Sequence, residues 1–244
     1  MLKKIYKIIA DEKTMYSELL HSSPTLVMIF FVISVICMNL LANKELINYQ
    51  FIALDCGFLV SWISFLCMDI LTKTIGPKLA IRASVLSIIV NLLIVLIFNI
   101  VAIIPSNWSE YYTHGLTANI VLNNIFGGSW YILFGSTVAF AAASIINIEL
   151  NHLIGYKLKK HKYSYKIFAL RCFISTAIGQ FIDNLLFAII VSYVLFGWTP
   201  IQIIVCSLTG AFFELICEIV FSPIGYKFSK SWERCYESCN NWKQ

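Results

Sequence analysis

Charged residues are scarce in this sequence. They make up 13% of its 244 residues, whereas soluble domains carry about 25%. Hydrophobic residues make up 59%, a composition that predicts an integral membrane protein. The apolar segments take up nearly the whole chain, which leaves no room for a soluble catalytic domain.

The sequence also lacks the motifs of common hydrolases. It contains no H-E-x-x-H zinc-protease motif and no G-x-x-x-x-G-K-[ST] phosphate loop, and its G-G-S-W segment lacks the last glycine of G-x-S-x-G. All four histidines lie outside the apolar segments, so none can act as a base in mid-bilayer. We therefore predict that the chain is not an enzyme, needs no cofactor, and would depend on another chain for any ATP hydrolysis.

The eight cysteines do not form a metal-binding or disulfide pattern. Five of them lie inside apolar segments, where cysteine behaves as a small hydrophobic residue: Cys37, Cys67, Cys172, Cys206 and Cys217. Cys235 and Cys239 are close in sequence, but no histidine or second cysteine pair accompanies them. We interpret them as thiols of the C-terminal tail and predict no metal site.

Six apolar segments are each close to the ~20 residues that a helix needs to cross a bilayer. We therefore predict an all-α integral membrane protein with six transmembrane helices, forming one transport domain over residues 24–226. Residues 1–23 are expected to form an interfacial helix or a solvated segment with no secretory signal peptide, and residues 227–244 a cytoplasmic tail. The predicted spans are Thr25 to Leu41, Phe51 to Leu71, Ala83 to Ile104, Ser129 to Ile148, Cys172 to Phe196, and Ile201 to Phe221.

Basic residues fall almost entirely on one side of this arrangement. Of the 18 lysines and arginines, only Lys44 lies in a connection of the opposite side. Because cytoplasmic loops carry the excess of these residues, both termini are predicted to be cytoplasmic. The same distribution explains the net charge of +5 without a nucleic-acid partner.

Two further features concern helix packing and the outer mouth. The fourth segment is rich in small residues, which predicts a position in the bundle interior. The third connection carries Trp108, Tyr111, Tyr112 and His114 before an apolar run from Ala118 to Phe126 that is too short to span. We expect a re-entrant or interfacial turn there.

The fifth segment carries polar residues near its middle. Thr176, Gln180, Asp183 and Phe187 are spaced by four, three and four residues and therefore share one helical face. An ionisable group at this depth costs several kcal/mol unless it faces a partner or a watery cavity, so the face predicts a ligand site. The alternative is a polar seam that joins two helices.

Carboxylates occur in two other segments. Asp55 and Asp69 are ~21 Å apart along the second, too far to share a site, and Asp69 could simply pair with Lys73 one turn away. Glu214 and Glu218 share one face of the sixth, where two close buried carboxylates would not both ionise. That pair is a candidate for proton coupling or amine binding. Alternatively, Glu218 reaches the interface and Glu214 bonds a backbone or hydroxyl group.

Three stretches resemble the queuosine precursor transporter family, also called the vitamin uptake transporter family. They are S-W-I-S-F-L-C-M-D-I-L-T-K-T-I-G-P-K-L-A-I-R, S-T-A-I-G-Q-F-I-D-N-L-L-F and F-F-E-L-I-C-E-I-V-F-S-P-I-G-Y. The resemblance implies a six-helix importer of the cytoplasmic (inner) membrane, carrying 7-deazaguanine bases or queuine used in tRNA modification. It also implies that the family's marked positions are Asp69, Gly76, Gln180, Asp183 and Phe187.

The sequence departs from the family pattern at several positions. Many members carry a lysine before the sixth-segment glutamate, where this chain has Glu214, and the chain has Met68, Ser144 and Asn147 where Thr, Gln and Asp are common. Replacing a cation by a carboxylate should alter preference between neutral and amine-bearing bases. An aminomethyl deazaguanine, which is cationic, would suit Glu214 better than a nitrile form.

The residues themselves fit a guanine-like ligand, which needs polar partners at its edge and an aromatic face. We expect Asp183 and Gln180 to bond the edge and Phe187 or Trp62 to stack, with Thr176, Glu214 and Asp69 also contributing to binding. Partners would be the lipid bilayer and the substrate, with a homodimer as a weaker expectation. Alternatives are the substrate-binding subunit of an ATP-driven vitamin uptake complex, or a membrane scaffold or enzyme with a structural polar network.

Overall fold

The computed structural model describes residues 2–49, 52–104, 130–158 and 164–241 of the chain, and these residues are almost entirely helical. The predicted re-entrant segment falls outside the described residues, as does the side chain of Cys239. The long helices are α1 Leu2–Ser22, α2 Thr25–Leu41, α3 Phe58–Ile75, α4 Pro77–Ile103, α5 Trp130–Lys157, α6 Tyr165–Phe187 and α7 Pro200–Asn241.

Five of these helices are long and apolar enough to cross a membrane: α3, α4, α5, α6 with its extension, and α7. The extension of α6 is a π-helical turn, Ala188–Ser192, followed by a last helical turn, Tyr193–Leu195. The helix α2 matches its predicted span residue for residue, and it forms a sixth span when counted with α1, from which it is bent by 110°. The prediction of an all-α integral membrane protein is confirmed.

The surface of the bundle is apolar and its interior holds many polar groups, the reverse of a soluble domain. Along α4, Leu93, Leu96, Ile97 and Ile100 are each more than half exposed. Their spacing of three, one and three residues gives a continuous apolar stripe that suits hydrocarbon. Buried polar side chains, by contrast, line α3, α5, α6 and α7, where they face one another. The chain is therefore a multi-pass membrane protein.

The predicted start of the second span, at Phe51, is wrong. The chain instead forms an antiparallel hairpin of β1 Glu45–Tyr49 and β2 Ile52–Asp55, and α3 begins only at Phe58. Asp55 explains the boundary, because its Oδ1 accepts a hydrogen bond of 2.6 Å from the Gly57 N–H. Such a local bond from an aspartate to the backbone favours a turn over a helix. Because the residues of β2 are apolar, the hydrophobicity pattern does not separate the strand from α3.

A sharp turn joins α3 to α4. Gly76 has a φ of +84°, in the left-handed region that glycine adopts without strain, and Pro77 follows at the first position of α4. The resemblance had marked Gly76, and this turn gives it a structural role. It lets the two helices follow each other with no intervening loop.

The small residues of α5 allow it to pack closely against its neighbours, as predicted. Gly135, Ala139 and Ala143 are buried, and a Cβ added to Gly135 would clash with the Val191 side chain of the π-helical turn. The central core, around Phe65 and Met68, packs against these helices. Close approach of α3, α5, α6 and α7 brings their polar side chains into contact, and these contacts form the candidate site.

Candidate functional site

The polar face of α6 is directed into the bundle, but its residues contribute to two separate groups of polar side chains. Thr176 and Gln180 are fully buried, whereas Asp183 and Phe187 are partly exposed and line a pocket one to two turns further along the helix. We call this space the Asp183 pocket. The second place is the Asp69 cluster, formed by Asp69 and its polar neighbours nearer the end of the bundle that carries Lys73 and Arg171.

The Asp183 pocket lies beside the β-hairpin, between α2, α3, α5, α6 and α7. Its cavity volume is about 30 Å³, room for about one or two water molecules and well below the roughly 300–1,000 Å³ of small-molecule sites, so its walls must separate to admit a larger ligand. A neighbouring cavity, also of about 30 Å³, shares four of its lining residues, so the two spaces adjoin. The Asp183 pocket is lined by Met38, Ala42, Asp55, Gly57, Phe58, Ser61, Ser136, Asp183, Asn184, Phe187 and Glu214.

Three carboxylates line this small pocket, and no lysine or arginine is among its described lining residues. They come from the end of β2, from α6 and from α7: Asp55, Asp183 and Glu214. No hydrogen bond from a described residue reaches the Asp183 carboxylate. A pocket with this charge favours a ligand that is cationic or rich in N–H donors.

Neighbouring helices hold Glu214 in place. It is 1% exposed; Ser61 donates a hydrogen bond to one oxygen, and Asn184 Nδ2 donates to the other at 3.0 Å. The alternative expectation for Glu214, a bond to a hydroxyl group, thus holds, and an amide completes the arrangement. Two neutral donors fix the orientation of this carboxyl group.

A glycine on α7 makes room for Asn184. A Cβ added to Gly210 would lie 2.9 Å from Asn184 Nδ2 and 3.4 Å from its Cγ. The first distance is shorter than real Cβ atoms tolerate, so a side chain at this position would displace the Asn184 amide. Gly210 therefore supports the hydrogen bond that positions Glu214.

Asp69 lies in the second place, fully buried among hydrogen-bond donors. Its Oδ1 accepts from Asn147 Nδ2 at 2.9 Å and from Ser175 Oγ at 3.3 Å, and its Oδ2 accepts from Thr176 Oγ1 at 3.4 Å. Lys73 is not its partner, so the ion-pair alternative is wrong. The structure places Asp69 away from the Asp183 pocket.

Lys73 instead pairs with α7. Its Nζ donates to Ser229 Oγ at 2.7 Å and lies 3.7 Å from Glu233 Oε1. The same ammonium lies 5.3 Å and 5.1 Å from the ring centroids of Phe168 and Tyr226. These rings draw the side chain away from Asp69, although the two residues are only one turn apart.

Glu218 is fully buried beside Asp69, so the alternative that it reaches the interface is wrong. A carboxyl oxygen of Asp69, a carboxyl oxygen of Glu218 and Cys172 Sγ all lie within 4.8 Å of one another. Neither Glu218 oxygen has a hydrogen-bond partner among the described residues, and the same is true of both polar atoms of Gln180. An unsatisfied buried polar atom costs about 1–3 kcal/mol, which marks this as a place for a bound species.

Sequence patterns gave no site role to Asn151 or Arg171. Arg171 Nε donates to Asn151 Oδ1 at 2.7 Å, Asn151 Nδ2 contacts Ser175 Oγ at 3.4 Å, and Ser175 in turn reaches Asp69. The signal was available, because Asn147 and Asn151 are one turn apart and therefore share one face of the helix. For Arg171, the sequence predicts only one of the basic residues of a cytoplasmic connection.

Trp62 does not line the Asp183 pocket. Its ring stacks on Phe221 with centroids 4.4 Å apart and borders an apolar groove between α2, α3 and α7. Its indole Nε1–H donates to Leu59 O at 2.9 Å. Phe187 is therefore the only one of the two predicted stacking residues that lines the pocket.

The match to a family model extends over both places. Residues 55–228 match the model of the family described as "Putative vitamin uptake transporter", which covers more than half of the chain. The chain belongs to this family. The matched range includes the three pocket carboxylates of this family member and the whole Asp69 cluster. No curated protein and no solved structure matches the chain.

Proposed function

We propose that this family member imports a 7-deazaguanine base, a queuosine precursor, across the cytoplasmic membrane and binds it in the Asp183 pocket. The observation that carries the proposal is the placement of Asp183 beside Asp55 and Glu214, in a pocket that also contains the Phe187 ring. A guanine-like edge presents a ring N–H and an exocyclic amine, which one carboxylate can accept together. Phe187 supplies an aromatic face for the ring.

Charge supports the aminomethyl form of the base over the nitrile form. Glu214 keeps its orientation through Ser61 and Asn184, and neither donor is charged. A cationic aminomethyl group would therefore meet a preoriented carboxylate, with Asp183 and Asp55 lining the same pocket. One turn along α6, Gln180 offers a donor and an acceptor that have no described partner, which would suit a ligand or water at the pocket floor.

Rescue of tRNA modification tests the proposal. Cells that cannot synthesise queuosine precursors and lack their own importer should regain queuosine in tRNA when they express this chain and receive the aminomethyl base. Adding unlabelled candidate bases as competitors of a labelled base would identify the substrate. Absence of rescue by every 7-deazaguanine base, with the protein inserted in the membrane, would refute the proposal.

Liposomes containing only this chain address the ATP-driven alternative. We expect them to accumulate labelled base without ATP or any second protein. Uptake that requires an added ATP-hydrolysing partner would assign the chain to a multi-subunit complex instead. Titrating the number of chains per liposome would also reveal whether a second copy is needed.

Gly210→Ala is expected to reduce base uptake about tenfold or more without unfolding the protein. The added methyl group displaces the Asn184 amide from Glu214, and a hydrogen bond to a charged group contributes about 1.5–3 kcal/mol. Labelled-base uptake, corrected for the amount of inserted protein, measures the effect.

The matched control is Gly225→Ala on the same helix. A Cβ there would lie 2.9 Å from Leu66 Cδ1, an apolar contact outside the Asp183 pocket. Gly225→Ala should lower the thermal unfolding temperature but leave uptake per folded molecule intact. Equal loss of uptake in both variants would mean that Gly210 acts only through packing.

A further inference from the structure

Asp69 and Glu218 form a buried pair of carboxylates outside the Asp183 pocket. They come from α3 and α7, are both fully buried, and approach with Cys172 to within 4.8 Å. Asp69 is held by donors from α5 and α6, whereas both oxygens of Glu218 lack a described partner. The Glu218 carboxyl group therefore lies close to a second carboxyl group in the bundle interior.

The charged groups around the pair do not compensate both of its negative charges. On α3, Lys73 forms a salt bridge with Glu233 of α7. On α6, Arg171 reaches Asp69 only through Asn151 and Ser175, and Cys172 is a thiol. The side chains that α5 contributes are the uncharged Asn147 and Asn151.

Counting these charges leaves one negative charge in excess. The other carboxyl groups in the apolar part of α6 and α7, Asp183 and Glu214, line the other pocket. Lys166, Lys227 and Lys230 of the same helices are exposed. Arg171 can offset one member of the Asp69–Glu218 pair, so the other remains uncompensated. An uncompensated buried charge costs several kcal/mol, and binding a single proton removes that cost.

We propose that Asp69 and Glu218 share one exchangeable proton and that this proton enters the cell with each imported base. This inference rests on the proposed function. One carboxylate oxygen takes the proton from water on the outer side, forming an O–H bond, and later returns it to water on the inner side. No other bond changes. Gln180 lies on α6 between Asp183 and Thr176, where its unpaired amide could hold water between the two places.

Base accumulation under a pH gradient tests the coupling. In liposomes with the membrane potential clamped at zero, one proton per base supports about tenfold accumulation for each pH unit, with the interior alkaline. Wild type should reach that ratio with labelled aminomethyl base, and a pH-sensitive dye should report matching proton entry. Glu218→Gln should lose both signals, and the exposed Glu149→Gln should keep them. Gradient-driven accumulation by Glu218→Gln, or accumulation driven by sodium alone, would overturn the proposal.

A second measurement needs no substrate. Infrared spectra of the purified chain in lipid contain a carboxylic-acid C=O band for every protonated carboxyl group. The spectrum of wild type minus Glu218→Gln should show one lost band at neutral pH, and the difference for Glu233→Gln should show none. Identical spectra for wild type and Glu218→Gln would overturn the proton site. If no base is transported by wild type, the proposed function fails while this measurement still decides the proton site.

Discussion

Asp183→Asn is expected to reduce uptake of the 7-deazaguanine base at least about 100-fold while the protein stays folded and inserted. Asparagine has nearly the same shape, but its amide replaces one acceptor by a donor that would face the N–H groups of the base. Each hydrogen bond to a charged group contributes about 1.5–3 kcal/mol, and two such bonds depend on this carboxylate in the proposed complex. Uptake of labelled base per inserted molecule measures the loss.

Asp183 has no described hydrogen-bond partner, so its replacement should disturb the bundle little. Thermal unfolding of the purified variant should therefore stay close to that of wild type. Glu149→Gln is the matched control, because Glu149 is an exposed carboxylate at the other end of the bundle. Normal transport by Asp183→Asn would exclude this carboxylate from base recognition.

Glu214→Gln is expected to change the preference of the transporter between two forms of the base. It removes one negative charge but keeps an oxygen that can accept from Ser61 or Asn184. Two unit charges about 4 Å apart interact by about 4 kcal/mol at an effective dielectric constant of 20. Affinity for the cationic aminomethyl base should therefore fall up to about 1,000-fold relative to the neutral nitrile base.

Competition assays with the two bases measure this change in the same variant, so the neutral base serves as an internal control for folding. Glu233→Gln provides an external control, because it removes a carboxylate paired with Lys73 and remote from the pocket. An equal loss of affinity for both bases would show that Glu214 supports the pocket structurally and does not discriminate between a cationic and a neutral base.

Helix content and the polar face of α6 could be predicted from sequence because both depend on short-range periodicity. The bounds of α2 followed from its apolar run between Pro24 and the polar residues after Leu41. The β-hairpin could not be predicted, since its apolar β2 strand continues directly towards α3 and only the Asp55 turn separates them. A hydrophobicity pattern does not detect one side-chain bond to the backbone.

The pairing of the carboxylates depended on tertiary contacts. Spacing along α7 predicted that Glu214 and Glu218 would interact with each other, yet Ser61 of α3 binds the first and Asp69 of α3 lies beside the second. The relative rotation of α3 and α7 determines which residues of α3 lie beside each glutamate. The sequence pattern within either helix does not show that rotation. The predicted cytoplasmic position of both termini stays a prediction, which would place the Asp183 pocket towards the outer side.

Equilibrium binding to the purified chain tests the central claim most directly. Labelled aminomethyl 7-deazaguanine should bind wild type saturably, with one site per chain, and Glu149→Gln should bind it equally well. Asp183→Asn should lose that binding at least about 100-fold. Equal affinity of wild type and Asp183→Asn for the base would contradict the account.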